Sequence, residues 1–341
     1  MDDTHFDVIV IGGGTAGLSG ALTLARARRS VLVIDAGEPR NAPADGIHGY
    51  LTRDGLAPSD LVRLGEDEVT RYGGQVVRAR ATSARADGPG FAVGTDDGRE
   101  VTARRLLVTT GLVDELPDIP GLRDLWGHDV LHCPYCHGWE VRDQPVGVLA
   151  TSPFAVHQAL LFRQWSPDVT LFLHTSPDPA PDEWEQLAAR DIAVVDGEVT
   201  ALETRDGRLS GVRLTSGRVV PRRALAVMPR FVARGDVLAG LGLAAVDHAM
   251  GVGQHVAADV AGLTSVPGVR VAGNVTDLMA GVVGAAAAGV AAAAALNADL
   301  VADDARRAVE QRRSPFSAAS GARVAEIVTG ERRHGLTPAR S

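Results

Sequence analysis

One stretch near the start of the chain restricts its fold more than any other. Phe6-Asp7-Val8-Ile9-Val10-Ile11 has the composition of a buried parallel strand and runs straight into Gly12-Gly13-Gly14-Thr15-Ala16-Gly17. A helical pattern follows from Leu18 to Arg28, and then a second apolar strand from Ser30 to Ile34, ending in Asp35. Strand, G-x-G-x-x-G, helix, strand and an acid about 20 residues on are the parts of a dinucleotide-binding βαβ unit. The glycines permit a tight turn and a close approach of backbone to a pyrophosphate held at the helix N-terminus, while the acid takes ribose hydroxyls. A glycine-rich turn that merely packs is the alternative, and the surrounding elements favour the first reading. The chain is therefore expected to be α/β.

The second informative stretch is His132-Cys133-Pro134-Tyr135-Cys136-His137, which holds the only two cysteines in the 341-residue sequence. A C-x-x-C reads as a redox dithiol, as half of a zinc site, or as a pair with no chemistry. Zinc needs four ligands and usually a second cysteine pair. His132 and His137 abut the cysteines and cannot easily close a tetrahedron with them, so the redox reading is preferred and no metal is expected. Pro134 favours a helix beginning just after Cys133, because proline is tolerated where the first helical N–H would have no partner. The positive end of that helix would stabilise a thiolate and lower the pKa of at least one sulfur.

At 341 residues two domains are expected. The net charge is −8, and arginines are interspersed with acids, so no basic stripe points to nucleic acid. All the basic residues are Arg and none is Lys, which with the heavy use of Ala and Gly reads as GC-rich coding. Strand-like sequence begins at Phe6 with no charged-then-apolar leader, so no secretory signal is expected. The most apolar run, Gly284 to Leu296, is shorter than the ~20 residues of a membrane span. These readings predict a cytoplasmic protein with no membrane partner, and in that compartment a dithiol is more often catalytic than structural.

Between the two stretches, Ala36 to Pro58 is loop-like and contains Arg40, Asn41, His48, Thr52, Arg53 and Asp54. A loop this long in a compact enzyme is usually functional, although each polar residue taken alone reads as solvated loop. Ser59 to Tyr72 is an amphipathic helix, Gln75 to Val101 alternates strands and turns, and Arg105 to Thr109 is a buried strand closing on Thr110-Gly111.

This order of parts resembles the low-molecular-weight thioredoxin reductase group of flavoproteins. The resemblance covers residues 6 to 310 and implies two Rossmann-like domains, the second inserted into the first. It divides the chain into an FAD domain at 1–114 and 245–314, an inserted domain with C-P-Y-C at 115–244, and a tail at 315–341 that matches nothing and reads as mobile. The return to the first domain is visible at Val269-Arg270-Val271-Ala272-Gly273-Asn274-Val275-Thr276-Asp277. In the group this segment usually reads Ala-Gly-Asp, its acid binding the ribityl chain; Asn274 keeps an acceptor and adds a donor. A helix directly after Asp277 is expected to aim its N–H groups at the flavin pyrimidine edge. The resemblance thus implies FAD held by Gly12, Gly14, Thr15, Ala16, Gly17, Asp35, Arg40, Asn41, His48, Gly111, Asn274 and Asp277, in a homodimer.

The departures from that pattern are equally informative. The inserted domain should carry a second fingerprint for NADPH, yet the strand Val146-Gly147-Val148-Leu149 leads into Ala150-Thr151-Ser152-Pro153-Phe154-Ala155. The turn glycines are missing, Pro153 has no N–H, and the next strand runs into His174-Thr175-Ser176-Pro177 where arginines should meet a 2′-phosphate. No NADPH binding is expected. Cys133-Pro134-Tyr135-Cys136-His137-Gly138-Trp139-Glu140 looks like the sequence of the dithiol oxidases that close disulfides in natural products of the gliotoxin, holomycin and romidepsin type. That resemblance assigns Cys133 as the sulfur exposed to substrate, Cys136 as the one against the flavin, and His137 as acid/base, a structural polar residue being the alternative for His137. It implies a small-molecule dithiol substrate, such as a reduced dithiolopyrrolone of the holomycin kind, with oxygen as acceptor in antibiotic biosynthesis. The rival readings are a reductase fed by ferredoxin or a similar donor, and a flavin redox sensor without turnover.

Overall fold

The computed structural model describes residues 4–313 and 318–329, in two compact units, Met1–Ala294 and Ala295–Ser341. In the first unit, β1 (His5–Ile11), α1 (Thr15–Arg26) and β2 (Val31–Asp35) form the expected βαβ turn, the helix beginning three residues earlier than the periodicity suggests. It starts at Thr15 because Gly14 is extended, at φ −73° and ψ −175°, and ends where Arg28 takes a left-handed φ of 63°. There follow α2 (Pro58–Arg71), β3 (Gln75–Arg78), β4 (Ala81–Asp87), β5 (Gly90–Thr95) and the long β6 (Glu100–Val108). These strands lie in the order β3-β2-β1-β6-β5-β4. The nine residues of β6 serve two neighbours on one side. Its first half pairs antiparallel with β5, and its last three residues pair parallel with a strand that arrives from residues 269–271.

After β7 (Leu112–Glu115) come β8 (Val130–Leu131), the single turn α3 (Pro134–His137), β9 (Val146–Leu149), α4 (Ala155–Phe162), β10 (Val169–Phe172), α5 (Pro181–Ala189) and β11 (Ala193–Val195). A small antiparallel sheet of β12 (Val199–Arg205), β13 (Arg208–Leu214) and β14 (Val219–Val220) precedes β15 (Ala224–Val227). The second large sheet, ordered β11-β10-β9-β15-β8, is parallel throughout and built from fully buried runs such as Val146–Leu149 and Ala224–Val227. Strands covered on both faces read as continuous apolar runs, which is why sequence located Val146–Leu149 and the strand beginning at Val169.

Next come β16 (Arg230–Ala233), β17 (Ala245–Asp247), β18 (Gly253–Val256) and β19 (Val269–Val271), which completes the first sheet. β7 pairs with β16 in a four-stranded sheet with β18 and β17, so the two stretches of chain leaving and re-entering the first sheet are hydrogen-bonded to each other. Helix α6 (Val282–Arg313) follows, starting five residues after Asp277. By length and composition α6 could cross a membrane, unlike the shorter run seen in sequence. Its first part is a packing helix: a Cβ on Gly289 would lie 2.0 Å from the Ala16 carbonyl oxygen, and Ala285, Ala292 and Ala293 are buried.

The second unit is helical within its described residues. Within the stretch read as a mobile tail, residues 318–329 form α7 (Ala318–Thr329). The remainder of that tail, 315–317 and 330–341, lies outside the described residues.

Candidate active site

In open α/β sheets ligands bind beyond the strand C-termini, where the strand order reverses. In the first sheet that point lies between β1 and β6, and a cleft of about 1970 Å³ opens there. Its walls include Gly12, Gly14, Thr15, Ala16, Asp35, Arg40, Asn41, His48, Gly111 and Asn274 from the first fingerprint and its surroundings. The same cleft is lined by Cys133, Cys136 and His137, so the fold brings the dithiol to the dinucleotide cradle.

The three fingerprint glycines are there for different reasons. Gly12 has φ 104° and a Cβ on it would lie 2.5 Å from the Thr109 carbonyl oxygen; a Cβ on Gly17 would lie 1.9 Å from the Gly12 carbonyl oxygen. Both are required by the backbone itself. Gly14 has an ordinary φ, lines the cleft, and a Cβ added to it would meet no protein atom within 4 Å. The turn therefore leaves an open surface at Gly14, as the approach of a pyrophosphate requires. Asp35 accepts hydrogen bonds from the N–H groups of Gly13 (2.8 Å) and Gly37 (3.0 Å) and pairs with Arg78, which fixes its carboxylate at the cleft edge.

Three residues expected at the cofactor have partners within the protein. Asp277 lies outside the cleft lining: it is exposed and its carboxylate accepts from the Met279 N–H at 3.1 Å. Local capping of the turn has claimed it. Because α6 starts at Val282, its first turn, not Asp277, faces the cleft, through Gly281, Val282 and Val283. Asn274 does line the cleft, but its Nδ2 donates to the carbonyls of Asp277 (3.0 Å) and Ala280 (2.9 Å), leaving Oδ1 as its acceptor. Arg40 holds Asp114 in a two-pronged pair at 2.8 and 2.6 Å and stands over the Phe231 ring, so it braces the cleft.

The dithiol is built locally. Cys133 is extended and caps α3, accepting the Cys136 N–H on Sγ at 3.2 Å, while Pro134 occupies the first helical position. Gly138 must lack a side chain, since a Cβ there would lie 2.4 Å from the Pro134 carbonyl oxygen and 2.7 Å from Trp165. Trp165 packs edge-on against Tyr135, which is 73% exposed at the cleft. Gln158, on α4, donates from Nε2 to the His132 carbonyl at 2.9 Å and so positions the peptide that leads into Cys133.

The two sulfurs are electrically unequal. The Cys136 thiol donates toward Cys133, and with the N–H groups of Cys136 and Tyr135 this holds the Cys133 thiol below its usual range despite burial. Cys136 is pushed up, first by the hydrogen bond its thiol gives Cys133, then by burial, and then by the negative charge favoured on Cys133. His132 is pushed down to about 4, first by burial and then by the Arg40 charge, so it is a neutral ring packed edge-on against Phe231. Burial also lowers His137, which keeps it a neutral base able to accept a proton.

The switch point of the second sheet is arranged differently. Between β9 and β15, Thr151 Oγ1 donates to the Met228 carbonyl at 2.8 Å. Ser176 Oγ donates to the Ala150 carbonyl (2.7 Å), Ser152 Oγ accepts the Phe154 N–H (3.2 Å), and His174 Nδ1 accepts the Val199 N–H (3.0 Å). The side chains of Thr151, Ser152, His174 and Ser176 in these two loops are thus bonded within the protein. The helix that follows, α4, lines the first cleft instead, through His157, Gln158 and Leu161.

Sequence reasoning missed this wall and its methionines. Of the four methionines, Met228, Met250 and Met279 all line the cleft. Their rarity in the chain was a usable signal, but only the fold gathers them.

A flavin cradle and a dithiol opening into one cleft between Rossmann-like sheets define a flavin-dependent thiol oxidoreductase. The comparisons agree: residues 6–289 match the family described as pyridine nucleotide-disulphide oxidoreductase, and the chain belongs to it. It is 33% identical over 261 residues to the thioredoxin reductase tcpT of Claviceps purpurea, covering 70% of this chain and 77% of that one. Identity to the thioredoxin reductase sirT of Leptosphaeria maculans is 30%, over 86% of this chain and 93% of that one. The crystal structure of HlmI is 46% identical, with a TM-score of 0.81, and the match covers 95% of this chain and 98% of that one. The cofactor is FAD and the protein is a thioredoxin-reductase-like enzyme acting on thiols.

Proposed function

We propose that the enzyme oxidises a small dithiol to its intramolecular disulfide, with oxygen as acceptor and hydrogen peroxide as the second product. The observation that carries this reading is the contrast between an open flavin cradle shared with the dithiol and a second nucleotide turn bonded to itself. Without a nicotinamide to supply electrons, the dithiol works in the oxidative direction.

The cycle starts from the Cys133–Cys136 disulfide. A substrate thiolate attacks Cys133 Sγ, the S–S bond breaks, and Cys136 leaves with the electron pair. His137 takes the proton of the second substrate thiol, whose sulfur then attacks the substrate sulfur of the mixed disulfide. Cys133 is expelled as the thiolate that its surroundings stabilise, a good leaving group, and the cyclic product departs. When bound at the cradle, FAD would supply the chemistry that carries two electrons from the reduced cysteines to oxygen. Gly12, Gly14, Thr15, Ala16 and Asp35 would hold its dinucleotide part, and Gly111 and Asn274 would line its path; Gly17, outside the lining, serves the turn by its close packing on Gly12.

A small apolar substrate suits the three methionines and the exposed Tyr135, since thioethers adapt to irregular apolar shapes. Because the chain is similar to HlmI and sirT, a natural-product dithiol of the reduced dithiolopyrrolone class is the substrate proposed, handled by a homodimer in the cytoplasm. An oxygen-consumption assay over a panel of dithiols tests the assignment. Stoichiometric peroxide with a cyclic disulfide supports it; no oxygen uptake with any dithiol overturns it.

A further inference from the structure

The second nucleotide turn is tied to Met228, and Met228 reaches the dithiol segment. Its carbonyl accepts the Thr151 hydroxyl at 2.8 Å, and its Sδ lies 3.2 Å from His132 Nε2. His132 directly precedes Cys133, and Gln158 holds its carbonyl at 2.9 Å. The residue before the first cysteine is thus tied twice, at its carbonyl by α4 and at its ring by the residue that follows β15.

The sulfur decides which form of His132 is held. A thioether has lone pairs and no hydrogen to give, so Nε2 must carry the proton for the 3.2 Å contact to be a hydrogen bond. Burial and the Arg40 charge keep the ring neutral, so Nδ1 then carries none. The ring also packs edge-on against Phe231, with centroids 5.1 Å apart. Met228 in turn packs against the buried cluster of Leu112, Phe231, Val252 and Leu278, which makes its sulfur a fixed acceptor. What these ties fix is the direction in which the chain enters Cys133. That residue is extended, at φ −97° and ψ 118°, and in this conformation its Sγ meets the Cys136 N–H at 3.2 Å. A chain free to swing at His132 would carry Sγ away from the donors that favour its thiolate.

We propose that Met228 is a positioning residue for the dithiol: through His132 it holds Cys133 against its hydrogen-bond donors, and through Thr151 it makes the second nucleotide turn the support of that contact. The inference rests on the proposed assignment of Cys133 as the sulfur attacked, and on no particular electron acceptor. Packing alone is the competing role for Met228.

Two substitutions separate the roles. Met228→Leu keeps the volume and the apolar character and has no acceptor, while Met228→Gln brings an amide oxygen to about the same reach on a polar side chain. Holoenzyme is reduced anaerobically with dithionite and alkylated with iodoacetamide over a pH series, and peptide mass identifies the labelled cysteine. Met228→Leu should raise the pH midpoint for Cys133 and slow its alkylation at neutral pH roughly three- to ten-fold, the span of one hydrogen bond's net contribution. Met228→Gln should recover most of that loss. Packing alone demands the reverse order, with Met228→Leu like wild type and Met228→Gln defective, and that order overturns the proposal. Thr151→Val should shift the midpoint the same way by less; no shift overturns the part given to the turn. Histidine ring-nitrogen resonances of the holoenzyme give an answer without reaction at sulfur. The His132 signal, identified by its loss in His132→Phe, should be that of the Nε2–H form and should lose that form in Met228→Leu; a wild-type ring protonated on Nδ1 overturns the proposal. If wild-type enzyme is labelled first on Cys136, the sulfur roles proposed above fail and this inference with them, whereas the reverse order of variants with Cys133 labelled overturns this inference alone.

Discussion

The turn after β1 and the turn after β9 are two copies of one architectural idea, each joining the buried centre of a parallel sheet to a helix. They differ in what they leave unbonded. In the first, Gly14 presents bare backbone to an open cleft, and nothing in the protein would collide with a side chain there. In the second, Ala150 is buried, Pro153 has no N–H, and Thr151, Ser152 and Ser176 direct their hydroxyls at neighbouring backbone. A Rossmann-like turn binds a nucleotide when its backbone donors are left for the ligand, and the same fold without that property becomes a wall of someone else's site. Here α4 contributes Gln158 and Leu161 to the flavin cleft.

The largest effects should come from the dithiol that the first site serves. Cys133→Ser and Cys136→Ser should each abolish oxidation. Replacing Cys133 weakens the hydrogen bond and removes the charge that hold Cys136 protonated, so the Cys133→Ser enzyme should ionise Cys136 more readily and, with Cys136 in its proposed place against the flavin, show a long-wavelength charge-transfer band. That band appearing in Cys136→Ser instead would invert the roles assigned to the two sulfurs.

The glycines of the first turn can be separated in the same spirit. Gly14→Val should yield folded, colourless protein, because the added atoms occupy ligand space and no protein space. Gly17→Ala should fail to fold or melt well below wild type, since its Cβ would overlap the Gly12 carbonyl oxygen. Flavin content and thermal melting measure both, and a yellow Gly14→Val protein would remove the cradle from the account.

Much of this was legible in sequence where local chemistry decides. The βαβ fingerprint, the parallel strands Val146–Leu149 and Val169–Phe172, and the capping of α3 by Cys133 follow from runs of a few residues. What sequence could not supply depended on competition or on distant partners. The sequence does not show that Asp277 accepts from the Met279 N–H or that Arg40 pairs with Asp114, and no spacing rule gathers Met228, Met250 and Met279 into one wall. Helix α7 was passed over because its sequence resembled nothing familiar.

A smaller effect is expected at His137. Burial lowers its pKa, so the ring is neutral and able to accept a proton above that value, and activity should fall as pH drops through it. His137→Ala should slow turnover about 10²-fold and move the pH optimum upward, because hydroxide then replaces the ring as base. An unchanged pH profile in steady-state assays would leave His137 with a packing role.

The smallest effect, none at all, belongs to the second turn. Converting Ala150 and Ser152 to glycine should not create NADPH oxidation, since Pro153 still lacks a donor and Thr151 still bridges to Met228. The wild-type enzyme makes the more direct measurement: mixed anaerobically with excess NADPH it should keep its oxidised flavin spectrum, while a small dithiol should bleach it. Readmitted oxygen should then restore the yellow colour with about one peroxide per disulfide formed, as a two-electron cycle requires. Rapid bleaching by NADPH would contradict the account, since a turn bonded to itself would then be binding nucleotide and the enzyme would be working as a reductase.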